Sequence, residues 1–307
     1  VCINTPIVAI TYAVGGSGTG GSVSGLPAGV TGTFAGGIIT ITGNPSVSGV
    51  FNYTVNTTGP CIIPTASGRI TVTDDGTLTL TSAPGTDNQT VCINTPIVAI
   101  TYALGGSGTS ASVSGLPAGV TGIFAGGVVT ITGTPTVSGT YNYTVTTTGP
   151  CVAPSATGTI TVTDDGTLTL TSGVGTDDQT VCINTPIVAI TYAVGGSGTG
   201  GSVSGLPAGV TGTFAGGIIT ITGNPSVSGV FNYTVNTTGP CIIPTASGRI
   251  TVTDDGTLTL TSAPGTDNQT VCINTPIVAI TYALGGSGTS ASVSGLPAGV
   301  TGIFAGG

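Results

Sequence analysis

The sequence predicts an all-β protein built as a tandem array of antiparallel β-sandwich domains. Two observations predict this fold class. Gly accounts for 55 of the 307 residues while charged residues make up only 4%, and Thr, Ser, Val and Ile fill most of the remainder, which favours strands and tight turns over helices. In addition, the segment VCINTPIVAITYA begins at Val1, Val91, Val181 and Val271. The chain is therefore a repeat.

The repeat has a spacing of 90 residues, and two kinds of unit alternate: residues 1–90 recur identically at 181–270, and residues 91–127 recur at 271–307. This period is too long for a solenoid coil or a propeller blade, but it suits one immunoglobulin-like (Ig-like) sandwich of roughly 100 residues. We expect beads on a string, with the protein extending beyond both ends of this sequence. The predicted domains are 1–74 with its first strand missing, 75–164, 165–254, and a truncated 255–307.

The strands within a unit are visible as an alternation of apolar and polar residues. Between Val50 and Asn56, the side chains of Phe51, Tyr53 and Val55 fall on one face of an extended chain, which is the pattern of a half-buried strand. The same period of two appears at residues 69–73 and 77–81, and residues 7–14 and 38–42 supply further strands. About seven strands per unit result.

Turn signals separate these strands. Two short strands are linked by Ala35-Gly36-Gly37. A strong signal for a tight turn is the pair Asp75-Gly76. The segment 82–86 is open to two interpretations, a hinge between units or the start of a packed first strand.

The composition also excludes classes of function. All the negative charge comes from Asp, the only cations are Arg69 and Arg249, and the formal net charge is −8, so no basic surface exists for nucleic acid. Catalysis needs a nucleophile and a base. Because His, Glu and Lys are absent, only Asp and Tyr could supply them. We therefore expect no enzyme and no required cofactor. The longest apolar runs are too short to span a bilayer.

The cysteines recur with the repeat, and none lies in a C-x-x-C pair. This spacing predicts disulfides rather than zinc sites, and hence an oxidising compartment. We favour pairing within units, although a bridge between neighbouring units, such as Cys61 to Cys92, stays open. On this reading the partner of Cys272 lies beyond the end of the sequence. The predicted pairs are Cys2–Cys61, Cys92–Cys151 and Cys182–Cys241.

Carboxylates cluster near the predicted domain junctions and are weak candidates for Ca²⁺ ligands. Against this stands the absence of Glu and of a D-x-D-x-D pattern, so we favour turn and solvated linker roles. The candidates are Asp74, Asp75, Asp87, Asp164, Asp165, Asp177 and Asp178.

Three short motifs carry a resemblance to a known family. Gly25-Leu-Pro-Ala-Gly-Val30, Ile39-Thr-Ile-Thr-Gly-Asn-Pro45 and Ser48-Gly-Val-Phe-Asn-Tyr-Thr-Val55 resemble the cadherin-like and Ig-like repeats of bacterial surface proteins. With the cysteine elements added, the unit is similar to the tandem repeats of giant cell-surface adhesins in Bacteroidota, including the SprB-type gliding-motility adhesins. The resemblance implies secretion, display as an outer-membrane-attached surface filament, and contact with motility or secretion machinery.

These observations predict a structural stalk of a long cell-surface adhesin or filament, acting in bacterial surface adhesion or gliding motility. Its first partners are other repeats of the same chain. One alternative is a self-assembling extracellular fibre or sheath, which the low charge and Thr-rich edges permit. Another is a multivalent module that binds glycans or solid surfaces, for which Phe34 or Tyr12 exposed at loop tips would be the contacts.

Overall fold

The computed structural model describes residues 1–305, and all of its regular structure is β-strand. The predicted fold class, an all-β array of Ig-like sandwiches, is confirmed. Among the described residues no helix is long and apolar enough to cross a membrane. Val1–Thr163 forms one compact unit, and the chain from Asp164 onward forms a second. The last two residues of the predicted domain 255–307 lie outside the described residues.

The first sandwich has six strands in two three-stranded sheets. One sheet has the order β1-β4-β3 and the other β2-β5-β6. The strands are β1 Ile10–Ala13, β2 Gly20–Ser24, β3 Val30–Ala35, β4 Ile38–Gly43, β5 Gly49–Thr58 and β6 Thr65–Val72.

The second sandwich has eight strands in two four-stranded sheets. The strands are β7 Thr77–Leu80, β8 Asn88–Cys92, β9 Ile100–Gly105, β10 Ser110–Ser114, β11 Val120–Ala125, β12 Val128–Gly133, β13 Gly139–Thr148 and β14 Ser155–Thr163. The sheets have the orders β11-β12-β9-β7 and β10-β13-β14-β8. Apart from β8, this is the ABED and CFG arrangement of an Ig constant-type domain. β8 is the extra strand, and it pairs in parallel with β14.

The third sandwich repeats this arrangement in the second compact unit. Its sheets have the orders β15-β17-β20-β19 and β16-β22-β21-β18. After it, β23 Thr257–Leu260 and β24 Tyr282–Gly285 form a two-stranded sheet. The strands are β15 Gly166–Leu170, β16 Asp178–Cys182, β17 Ile190–Gly196, β18 Gly200–Ser204, β19 Val210–Ala215, β20 Ile218–Gly223, β21 Gly229–Thr238 and β22 Thr245–Thr253.

The core of each sandwich lies between its two sheets, where the inward residues of alternating strands meet. In the second sandwich Ile100, Val129, Tyr143 and Ile160 have no exposed surface. Each of these residues comes from a different strand, so burial of their apolar surface is the main force holding the sheets together.

A pair of tyrosines links the two sheets at the centre of this core. Tyr102 of β9 and Tyr143 of β13 are 3% and 0% exposed, and their hydroxyls are 3.1 Å apart. Strands β9 and β13 correspond to the B and F strands that antibody domains join by an inter-sheet disulfide. Here a hydrogen bond connects these strands. The Tyr143 hydroxyl also lies 3.3 Å from the Asp87 carbonyl next to β8, so both hydroxyls of this tyrosine pair have hydrogen-bond partners.

A glutamine side chain fastens the segment that precedes β9. Gln89 accepts a hydrogen bond from the Val98 amide at 2.9 Å and donates to the carbonyls of Val98 and Thr86 at 2.7 and 2.6 Å. The side chain thus supplies the hydrogen bonds that a neighbouring strand would give, to a backbone segment that has no such neighbour. Gln179 makes the same contacts in the third sandwich.

Candidate functional site: a disulfide-linked junction

The first and second sandwiches are joined by a very short link. β6 ends at Val72 and β7 begins at Thr77, so Asp75-Gly76 is the passage between two sandwiches and not the turn of a hairpin. The segment 82–86, which the sequence left open as a hinge, lies inside the second sandwich between β7 and β8. There the Ser82 and Thr86 hydroxyls are 2.6 Å apart.

Cys2 lies beside this link, at the end of the first sandwich. It forms a parallel bridge with Thr73, and the Ile3 amide donates to the Thr73 carbonyl at 2.9 Å. Asn4 then adopts a φ of 61°, a left-handed conformation that Asn tolerates better than most residues. This turn directs the chain away from the link and leaves Cys2 at its side.

Cys151 approaches the same link from the second sandwich. It lies in the loop between β13 and β14, and this loop is fastened to the link by two hydrogen bonds. The Gly76 amide donates to the Val152 carbonyl at 2.8 Å, and the Val152 amide donates to an Asp75 carboxylate oxygen at 3.3 Å. Cys2 and Cys151 are disulfide-bonded, with their Cα atoms 5.6 Å apart. The bridge therefore joins two successive sandwiches.

The predicted pairing of cysteines within units is wrong in this structure. Cys2 is level with Thr73, at the end of β6, whereas Cys61 precedes the start of β6 at Thr65. An eight-residue strand separates these two levels by about 25 Å, while a disulfide needs Cα atoms within about 7 Å. The two cysteines of one unit thus lie at opposite ends of its sandwich.

The other predicted pairs fail for the same reason. Cys92 pairs in register with Thr163 at the end of β14, while Cys151 precedes β14. Cys182 pairs with Thr253 at the end of β22, while Cys241 precedes that strand. Cys92 and Cys241 are each part of a disulfide. The exposed free thiols among the described residues are Cys61, Cys182 and Cys272. Because Cys61 is free, the alternative bridge Cys61–Cys92 is also wrong.

The junction carboxylates serve as hydrogen-bond partners for loops and strands. Asp74 accepts from the Ser48 hydroxyl at 2.9 Å. Asp165 receives the Ile242 amide at 3.4 Å, as Asp75 does with Val152, and Asp178 forms an ion pair with Arg249 at 2.9 Å. Within residues 1–305 no three His, Cys, Asp or Glu side chains come together to hold a metal. Ca²⁺ binding by these carboxylates, the less favoured alternative, stays untested.

The aromatic residues proposed for surface contact pack inward. Phe34 and Tyr12 are partly buried against the core of the first sandwich, and the Tyr12 hydroxyl is 3.0 Å from that of Tyr53. Burial, helped by this hydrogen bond, raises the pKa of Tyr53 to about 12. Burial likewise raises the pKa of Tyr143 far above its ordinary value, with smaller effects of the Tyr102 hydroxyl and the Asp87 charge.

No protein-family model and no curated protein matches the chain. Solved structures do. An I-band fragment from titin aligns with a TM-score of 0.59 and 12% identity, over 82% of this chain and 94% of the titin fragment. The three-Ig structure of an E-to-A mutated variant of the same titin domains gives 0.60 and 13%, with the same coverage. At this identity the similarity shows the tandem Ig-like fold alone.

Proposed function

We propose that this chain is a load-bearing segment of an extracellular stalk. The observation that carries the proposal is the Cys2–Cys151 bridge, which joins one sandwich covalently to the next. A bridge within each domain would stabilise single domains, whereas a bridge between domains strengthens the array. Disulfides form and persist in oxidising compartments, so the bridge also supports a location outside the cytoplasm.

Further features of the junction support the same function. The link between the first two sandwiches is only the four residues between β6 and β7, and the loop of Val152 is fastened to it. Short, hydrogen-bonded links restrict bending between domains, as a stalk requires. The titin fragments show that a tandem Ig-like chain of this kind occurs in a protein built of such domains in series. We infer no reaction and no required cofactor.

The finer proposal is a surface filament in bacterial adhesion or gliding motility, and it rests on the family resemblance of the sequence motifs. The test uses antibodies raised against residues 75–164 on intact cells of the source organism. Immunogold labelling along surface filaments, with Fab fragments that reduce attachment or gliding, would support the proposal. Label confined to the cell interior would contradict the stalk. Labelled filaments with unchanged attachment and gliding would keep the stalk and reject the finer role.

A further inference from the structure

We propose that the Cys2–Cys151 disulfide carries tensile load past the first sandwich, so that unfolding this sandwich adds little to the length of the stalk. The inference rests on the proposed stalk function and specifies how the junction meets that task. It follows from the two covalent routes that connect Cys2 with Cys151. One route is the bridge, with Cα atoms 5.6 Å apart, and the other is the main chain, with a sequence separation of 149 residues.

The two routes differ greatly in length when the chain is stretched. An extended main chain of that separation measures about 500 Å. Tension follows the shorter route, so the first sandwich is not pulled even after it has unfolded. The whole of the first sandwich, and strands β7 to β13 of the second, lie within this closed loop.

Unlike the first sandwich, the second is not bypassed, because Cys92 within it is also disulfide-bonded. After Cys151 the chain continues into β14, which runs from Ser155 to Thr163. This strand is already extended, so pulling along it releases little length. It is also held on both sides, antiparallel to β13 and parallel to β8. Detaching it requires its ladder bonds to break together along the strand.

The sequence places the same cysteine elements in later units. Residues 181–270 repeat residues 1–90, so Cys182 has the same local sequence as Cys2. In the third sandwich Cys182 lies in β16, opposite Thr253 at the end of β22. Cys92 and Cys241 have the same spacing in the sequence as Cys2 and Cys151, and both are disulfide-bonded. The sequence therefore supplies a second pair of cysteines with this spacing.

The first experiment maps the bridge in the unmodified chain. Arg69 and Arg249 are the only residues after which trypsin cleaves, because the sequence has no Lys. Free thiols are blocked with iodoacetamide, and the chain is denatured and digested without reductant. We expect peptides 1–69 and 70–249 to stay joined and 250–307 to be released, with Cys61 alkylated. Release of peptide 1–69, or a join made through Cys61, would overturn the proposal.

The matched control adds tris(2-carboxyethyl)phosphine before alkylation. The phosphine is oxidised to its oxide with an oxygen from water, and each disulfide becomes two thiols. All three peptides should then separate.

The second experiment measures the load path by single-molecule force spectroscopy of the full chain held at its ends. In a Cys92→Ser/Cys241→Ser background, reduction should lengthen the fully stretched oxidised chain by about 500 Å, and a variant that also carries Cys2→Ser and Cys151→Ser should show that gain without reductant. Equal lengths for the variant and the oxidised chain would overturn the load bypass. Both experiments use purified protein, so their failure is distinct from failure of the cell-surface labelling.

Discussion

The first and third sandwiches have the same sequence, since residues 1–90 recur at 181–270, yet they differ in their cores. Ile10 is half-buried in the first sandwich, while its counterpart Ile190 has no exposed surface. Ile70 is 6% exposed and its counterpart Ile250 is 0% exposed. The third sandwich begins with β15 and β16, which add one strand to each sheet. In their place the first sandwich has only the β-bridge between Cys2 and Thr73. The preceding segment therefore completes both sheets of the sandwich that follows it.

Removing that segment should have the largest effect. We compare residues 165–254 with residues 181–254, both carrying Cys182→Ser and Cys241→Ser. Without β15 and β16 the inner faces of both sheets become accessible at one edge, and the Gln179 side chain that fastens the Val188 segment is lost. We expect the free energy of unfolding to fall by on the order of 5 kcal/mol. Urea unfolding followed by circular dichroism measures this; equal midpoints would refute the role of the segment.

A glycine in the last strand provides a narrower test of the same packing. A Cβ on Gly248 would collide with the Tyr233 hydroxyl and with the Asp177 carbonyl that precedes β16, whereas the nearest atoms to a Cβ on Gly68 all belong to the Tyr53 side chain. A backbone carbonyl cannot move aside as a side chain can. We expect Gly248→Ala to cost about 3 kcal/mol in residues 165–254.

The matched control is Gly248→Ala in residues 181–254, which lack the Asp177 carbonyl and thus reproduce the environment of Gly68. The difference between the two lengths of chain isolates the backbone collision. If both chains lost the same stability, Tyr233 alone would account for the cost of a side chain at this position.

The buried tyrosines make stability depend on alkaline pH. The raised pKa of Tyr53, about 12, means that the folded state holds its proton more tightly than the unfolded chain, whose tyrosines ionise near 10. The stabilisation is therefore complete below pH 10 and is lost as the pH rises from 10 to 12. Burial and the Tyr192 hydroxyl raise the pKa of Tyr233 further, so the loss continues to higher pH in the third sandwich.

Phenolate absorbance in residues 165–254 checks this expectation, with free cysteines replaced. Tyr233 should stay protonated until the sandwich unfolds, and Tyr233→Phe should flatten the decline of the urea midpoint above pH 10. A phenolate that forms near pH 10 in the folded domain but not in its Tyr233→Phe variant would show that this tyrosine is accessible to water.

The alternation of apolar residues predicted the strands, and the composition together with the 90-residue repeat predicted the fold class. Phe51, Tyr53 and Val55 share the inward face of β5 as their spacing indicates, with Tyr53 and Val55 buried. Alternation reports which face of a strand is buried because side chains on a strand have a period of two. It does not report the neighbouring strand or its direction. Alternation alone therefore does not predict the parallel pairing of β8 with β14.

That missing pairing is what made the disulfide prediction wrong. Cys92 sits in β8, and the parallel register puts it at the far end of β14 from Cys151. The sequence spacing of the two cysteines of a unit allows a bridge only as long as the position of the strand that separates them is unknown. The inter-sheet contact of Tyr102 and Tyr143 was missed likewise, because it joins strands of different sheets across the core.

The smallest expected difference between the two identical sequences concerns their arginines. Arg249 forms a two-pronged ion pair with Asp178 of β16, at 2.9 and 3.1 Å, but both side chains are more than half exposed. An exposed pair contributes less than about 1 kcal/mol because water and salt screen it. We expect Arg249→Ala to lower the stability of residues 165–254 by that amount in dilute buffer and by less in 1 M NaCl. In residues 181–254, where Asp178 is absent, the same substitution should have no salt-dependent effect, and a salt-dependent loss there would show that Arg249 acts through another partner.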